Sequence, residues 1–360
     1  MNVRTKYLPQ WTIAAPLAAW AIYALYAALG GPWLQIALAA GLFASVLAAV
    51  HHAEVIAHMA GEPFGTCLFA LAVTAIEIGL IVSIMSAGGP GAEALARDTV
   101  FATIMVILNG VVGICLLAGG LRHREQDYVQ TGVSAALAAL ACLAVVALVL
   151  PNHATTASGP FYSTSQLAFV GAVSLALYGT FVLVQTVRHR DYFLAPSTGA
   201  EEAHAPPPPA KIATISAGLL LVSLIAVVWL AKTLAPSVEA MLDVAGAPKA
   251  AVGVIIAVVV LLPEGLAALR AARADRLQTS LNLALGSALA TIGLTIPAIA
   301  ALAIIFGWPL ALGIAPKDTV LLVLSLFCAA LSLSTGRTTV MQGALHLMLF
   351  GVFLFLMFVP

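Results

Sequence analysis

Charge is what this sequence lacks most. Asp, Glu, Lys and Arg make up only 8% of its 360 residues, against roughly 25% in a soluble domain, which excludes an ordinary solvated surface. The charge that is present balances, 15 basic residues against 15 acidic. Nothing in it argues for nucleic acid or for an acidic partner. Cysteine is also scarce: Cys67, Cys115, Cys142 and Cys328 each stand alone in an apolar run, with no CxxC pair and no metal-ligand spacing. They read as small core side chains rather than a disulfide or zinc framework. No small-residue cleavage site closes the apolar stretch that follows Met1-Asn2-Val3-Arg4-Thr5-Lys6, so that stretch is expected to be a retained first helix and not a signal peptide.

What the chain has in quantity is hydrophobic sequence, 62% of it, with a mean hydropathy of +1.07. Cut at charged, Pro-rich or Gly-rich breaks, it gives about eleven segments of spanning length, since about 20 residues at about 1.5 Å each cross a core of about 30 Å. The segments run near 11–29, 32–50, 64–86, 98–121, 128–150, 164–187, 211–234, 249–269, 278–303, 317–335 and 339–359. Backbone groups must be satisfied internally in lipid, so all of them are expected to be helices. The expected fold class is an all-α polytopic membrane protein whose surface partner is membrane lipid.

Lys and Arg set the expected topology. With the amino terminus in the cytoplasm, inner positions hold Arg4, Lys6, Arg122, Arg124, Arg188, Arg190, Lys211, Arg270, Arg273, Arg276 and Arg337, and outer positions hold only Arg97, Lys232, Lys249 and Lys317. That bias satisfies the positive-inside rule and leaves the carboxyl terminus outside. One linker stands out, 191–210, with Glu201-Glu202-Ala203-His204 and the run Pro206 to Pro209, expected to be an extended spacer on the cytoplasmic side. Apart from an amino-terminal helix (1–31), it divides the chain into five spans (32–190) and five spans (211–360). An odd number per half forces the halves to insert in opposite senses, as in an inverted-repeat transporter.

Two acids lie deep in this apolar sequence. Glu77 stands in Leu71-Ala72-Val73-Thr74-Ala75-Ile76-Glu77, and Glu264 in Val260-Leu261-Leu262-Pro263-Glu264, each in the second helix of its half. A carboxylate at that depth is costly unless it faces a polar cavity and binds an ion or a proton. Pro263 removes a backbone hydrogen bond beside Glu264 and frees a carbonyl oxygen. Thr74, one turn before Glu77, offers another oxygen, whereas its counterpart Leu261 offers none, so the half-sites are similar but not equivalent. The helix after each acid is rich in polar and small residues: Asn109-Gly110 in the first half, and Ser280, Asn282, Gly286-Ser287 and Thr291 in the second. Ser280, Ser287 and Thr291 share a face that Asn282 does not. Either that helix is broken or Asn282 does a packing job. Hydroxyl and small residues also serve simply as glue between membrane helices.

After the second span, His51-His52-Ala53-Glu54 leads to His58. His51, Glu54 and His58 share a face at the cytoplasmic mouth and are expected to admit ions or to sense pH together with His52, since histidine titrates near neutrality. The alternatives are an interfacial structural helix or a metal site, though the spacing is not HExxH. His346, near the inner end of the last span, is expected to be a buried neutral histidine.

On these residues the chain resembles the calcium/proton antiporter family of the cation/calcium exchanger superfamily, in its bacterial ChaA-type branch. The likeness rests on His51-His52-Ala53-Glu54-Val55-Ile56-Ala57, Ala72 to Glu77, Asn109-Gly110, Leu262-Pro263-Glu264 and the run Leu277 to Pro297. It implies two repeats of opposite orientation with Glu77 and Glu264 as central cation ligands and proton acceptors. Where the superfamily carries Gly-Ser-x-x-x-Asn, the second half here has Gly286-Ser287 with Thr291 in the asparagine position. The branch is associated with calcium and also with sodium or potassium.

The expected function is exchange of cytoplasmic Ca2+ for protons by alternating access, in a multi-pass protein of the bacterial inner membrane. No cofactor is expected beyond the transported ions, Ca2+ and H+, with Na+ or K+ as alternatives. Two ionised acids meeting in one pocket repel, so they titrate as a pair and are neutralised by one divalent cation or by protons. The rival readings are a Na+ or K+/proton antiporter of the same fold, an intramembrane metal-dependent hydrolase, and a channel or scaffold.

Overall fold

The computed structural model describes residues 7–60, 64–88, 91–194, 208–244, 248 and 250–359. In chain order the helices are α1 (Gln10–Leu29), α2 (Pro32–Ala60), α3 (Phe64–Ala87), α4 (Leu95–Met105), α5 (Val112–His123), α6 (Gln130–Ala144), α7 (Thr164–Leu183), α8 (Ala210–Val244), α9 (Ala250–Arg273), α10 (Leu277–Ala290), α11 (Ile296–Phe306), α12 (Pro316–Ser332) and α13 (Val340–Phe358). A π-helical turn, Val106–Val111, joins α4 to α5 without a break, and another, Thr291–Thr295, joins α10 to α11. Each pair therefore forms one long rod. Ten of the resulting rods are long and apolar enough to cross a membrane. The expected span near 317–335 is α12, whose 17 residues stand at the short end of what crosses a bilayer.

Local sequence explains several boundaries. Ser163 and Thr339 open α7 and α13 with reciprocal capping boxes to Gln166 and Gln342, which satisfies donors left orphaned at a helix start. Pro316 occupies the first turn of α12, where its missing N–H costs nothing. Pro297 lacks the N–H that Gly293 O would accept in an α-helix, a direct cause for the wider turn at Thr291–Thr295. No such residue explains the turn at Val106–Val111.

The chain forms two compact units, Met1–Ala92 with Glu202–Gly246, and Glu93–Glu201 with Ala247–Pro360. Each draws on both halves of the sequence. In the first, α2 packs against α1, α3 and α8. Ala19, Leu38, Leu230 and Leu234 form one apolar cluster, and Leu8, Val55 and Ile212 a second at the other end. Helix α2 runs ten residues beyond the expected end of the second span. Val50 to Ala60 contains no Gly or Pro, so the histidine segment continues the helix of the second span instead of forming a separate interfacial helix. The Pro-rich part of the 191–210 linker lies largely outside the described residues.

In the second unit, α9 packs on α4 and α10, α13 on α5, and α7 on α11. The connections gather in two sets. At one end, β1 (Gln126–Asp127) pairs antiparallel with β2 (Arg337–Thr338), Gln126 Nε2 donates to Ala272 O and Asp275, and Asn282 Nδ2 donates to Phe193 O. At the other, Phe161 bridges Ala311, Ala311 N donates to Glu93 O, and Asn152 Nδ2 donates to Ile314 O. Each of these connections falls in the set that strict alternation of spans requires. Near the second set, Tyr162 donates its phenol proton to Val146 O at 2.7 Å, and burial pushes its pKa up to about 12. The raised value means the bond is fully present below the ordinary tyrosine range and is lost only as pH rises through about 12.

Candidate cation site

Glu77 lies in the middle of α3 and is only 2% exposed. Thr74, one turn earlier on the same helix, is buried as well, so the face read from the sequence points inward. Glu264 lies within α9 directly after Pro263 and is half-buried. Ser287 of α10 donates its hydroxyl to Glu264 Oε2 at 2.9 Å. A hydroxyl donated to a carboxylate fixes its rotamer while leaving other lone pairs for a cation. Glu77 belongs to the first compact unit and Glu264 to the second.

The other expected ligands separate into different roles. Thr291 is buried at the first position of the π turn that follows α10, and Ser280 is buried on α10 itself. Helix α10 is regular through Asn282, whose amide accepts from Gln278 at 2.9 Å and donates to Phe193 O at 2.6 Å. Its side chain therefore ties α10 to the end of the first half, as packing requires. Asn109 sits within the other π turn and is fully buried. Its Nδ2 donates to Ser325 Oγ at 2.8 Å, and its Oδ1 faces His346 Nδ1 at 3.2 Å. Both ends of this amide are occupied by protein. The sequence pointed to Asn109 and His346 separately and gave no signal for Ser325 and Ser332, single serines in apolar helices, the first 216 residues from Asn109 and the second 14 from His346.

The histidine segment also divides. His52 is fully buried, with Nε2 3.2 Å from Thr12 O, whereas His51 Nε2 lies 3.1 Å from Tyr7 O and its ring packs against Trp11. Glu54 and His58 are exposed, and the His58 ring meets Tyr7 edge-on. Among the described residues, no three His, Cys, Asp or Glu side chains converge as metal ligands.

The sodium/calcium exchanger protein family matches this chain over residues 30–187 and again over 215–359. Over 369 aligned residues the chain is 47% identical to y4hA of Sinorhizobium fredii, a protein named as an ionic transporter, covering 100% of this chain and 99% of that one. It is 38% identical over 321 residues to the sodium-potassium/proton antiporter ChaA of Escherichia coli, covering 88% and 87%. With the Ca(2+)/H(+) antiporter of Aphanothece halophytica the identity is 28%, covering 82% and 81%. Among solved structures, native YfkE shares the fold with a TM-score of 0.74 at 18% identity, covering 97% of this chain and 100% of that one. The H+/Ca2+ exchanger CAX does so at 0.72 and 15% identity, covering 98% and 89%. With matches spanning nearly its whole length, the chain belongs to the sodium/calcium exchanger family and is a multi-pass membrane protein of the cation/calcium exchanger superfamily of antiporters.

Proposed function

We propose that this protein is a cation/proton antiporter of the bacterial inner membrane, exporting Ca2+ from the cytoplasm in exchange for protons. The observation that carries the reading is a pair of intramembrane acids in equivalent helices of the two halves, Glu77 buried and Glu264 half-buried under the Ser287 hydroxyl. Two carboxylates cancel the charge of one divalent cation, and protons cancel the carboxylates in its absence. Movement between inward-open and outward-open states is then permitted only when the acids are neutralised, which couples the two fluxes. The halves 32–190 and 211–360 supply the two states, with the amino terminus in the cytoplasm and the carboxyl terminus outside.

A second reading, Na+ or K+/proton exchange, is favoured by the name of the relative at 38% identity. The amides of Asn109 and Asn282 are both engaged within the protein, which subtracts oxygens from the six to eight or so that Ca2+ takes. Proteoliposomes given a pH gradient and then Ca2+, Na+ or K+ separate the readings by which cation dissipates the gradient. Glu77→Gln and Glu264→Gln are each expected to abolish exchange while leaving a folded protein that elutes as wild type in detergent. Transport at the wild-type rate in either variant would refute the assignment.

A further inference from the structure

Besides Glu264, the second unit holds a closed polar cluster in an apolar interior. His346 on α13 and Asn109 are fully buried, as is Ser325 on α12, and Ser332 is nearly so. Close approach of α13 to α5 brings them together: a Cβ on Gly113 would stand 3.1 Å from the Cβ of His346, and one on Gly343 would stand 2.7 Å from Leu117 Cα. At Gly343 a side chain would force the helices apart, and at Gly113 it would push its neighbours back by a few tenths of an ångström.

The donors run one way through the cluster. Asn109 Nδ2 donates to Ser325 Oγ, so its Oδ1 is the atom that faces His346 Nδ1, and that ring nitrogen must donate. In the neutral ring Nε2 then has only its lone pair, which takes the Ser332 hydroxyl hydrogen at 2.9 Å in preference to Ala329 O, which lies 3.3 Å from the same hydroxyl and already accepts from Leu333 N. Ser325 Oγ passes its own hydrogen to Met105 Sδ at 3.6 Å. A second proton on the ring would place charge at a fully buried site without an acidic hydrogen-bond partner. The neutral tautomer satisfies every member.

Of the four π-helical turns among the described residues, Val106–Val111 holds Asn109 and Thr291–Thr295 begins at Thr291, each on the rod that follows its half's acid, while Val145–Val149 and Val184–Arg188 close α6 and α7. Such a turn holds one residue more than the α-helix and relaxes by sliding the register of the residues beyond it. Tying Asn109 to both α12 and α13 prevents that slide.

We propose that His346 is a positioning residue for cation exchange: through Asn109 it holds the Val106–Val111 turn in its binding register, and it carries neither cation nor proton itself. The proposal rests on the exchange reading above. It is tested in proteoliposomes with whichever of Ca2+, Na+ and K+ the wild type exchanges, comparing His346→Leu with His346→Gln, which keeps one donor and one acceptor. For His346→Leu the half-saturating cation concentration is expected to rise about tenfold, equivalent to about 1.4 kcal/mol, with the maximal rate and the pH midpoint unchanged. His346→Gln is expected to restore most of that affinity. Unchanged half-saturation in folded His346→Leu would overturn the proposal, and so would a shifted pH midpoint, which would make His346 a proton carrier. If the leucine variant does not fold, Ser325→Ala and Ser332→Ala replace it, each expected to raise half-saturation about threefold for one neutral hydrogen bond lost; no rise in either overturns the proposal. A wild type that exchanges no cation defeats the functional reading instead, so the two failures are distinguishable.

Discussion

At the residue scale, the same residue types do different work according to their partners. Ser287 and Ser325 are both serines on helices of the second unit, but one donates to an acid and the other accepts from an amide. Hydrogen bonds to a charged group contribute about 1.5–3 kcal/mol, and those between neutral groups about 1 kcal/mol. Ser287→Ala is therefore expected to raise the half-saturating cation concentration about tenfold, since about 1.4 kcal/mol is a factor of ten. Asn282→Ala removes a bond from α10 to Phe193 O and is expected to lower stability by about 1–3 kcal/mol, because the carbonyl loses its donor, while half-saturation stays as in wild type. Transport titrations and thermal unfolding in detergent read the two variants. The assignment of roles fails if Ser287→Ala binds cation normally or if Asn282→Ala weakens binding without loss of stability.

At the scale of elements, continuity matters more than count. Because α2 runs unbroken from Pro32 to Ala60, His51 and Glu54 are rigidly attached to a spanning helix, and a change of charge at its end bears on the helix as a body. His52 and His51 each face a backbone carbonyl inside the first unit, Thr12 O and Tyr7 O, while Glu54 and His58 are exposed; we propose that the segment admits ions or senses pH. His51→Ala and Glu54→Ala are expected to shift the pH profile of exchange without abolishing it. A profile superimposable on wild type in both variants would leave this segment a purely structural role. The two π turns make the same point for the rods that follow the acids. Pro297 accounts for one of them locally, whereas the other is held from outside, through Asn109.

At the scale of the whole molecule, alternation of the spans is a testable property. Glu125 and Thr155 are both exposed, in connections belonging to opposite sets. In a protein whose four cysteines are replaced, Glu125→Cys is expected to react with an impermeant maleimide only from the cytoplasmic side, and Thr155→Cys only from outside. Labelling of both from one side would break the topology, and exchange of the two sides would invert it. The compact units present a different partition from the halves of the sequence, each built from both. That is the arrangement expected when oppositely inserted segments interleave rather than fold as consecutive domains.

How much was legible beforehand depends on the range of the physics involved. Scarcity of charge, apolar run lengths, the distribution of Lys and Arg, and two acids in mid-run are local properties, and membrane insertion acts on them segment by segment. They sufficed for the helices and named Glu264 and Ser287 as separate candidates, whereas the hydrogen bond between the two came only with the structure. The partners of Asn109, Ser325 and His346, stand 216 and 237 residues from it along the chain, and no periodicity carries that information. Which amide serves as a pin, which hydroxyl holds an acid, and where β1 meets β2 followed from helix rotation and glycine-limited approach. Those quantities are defined only once the helices pack, because hydrogen bonds between helices depend on angstrom-scale register that hydropathy does not encode.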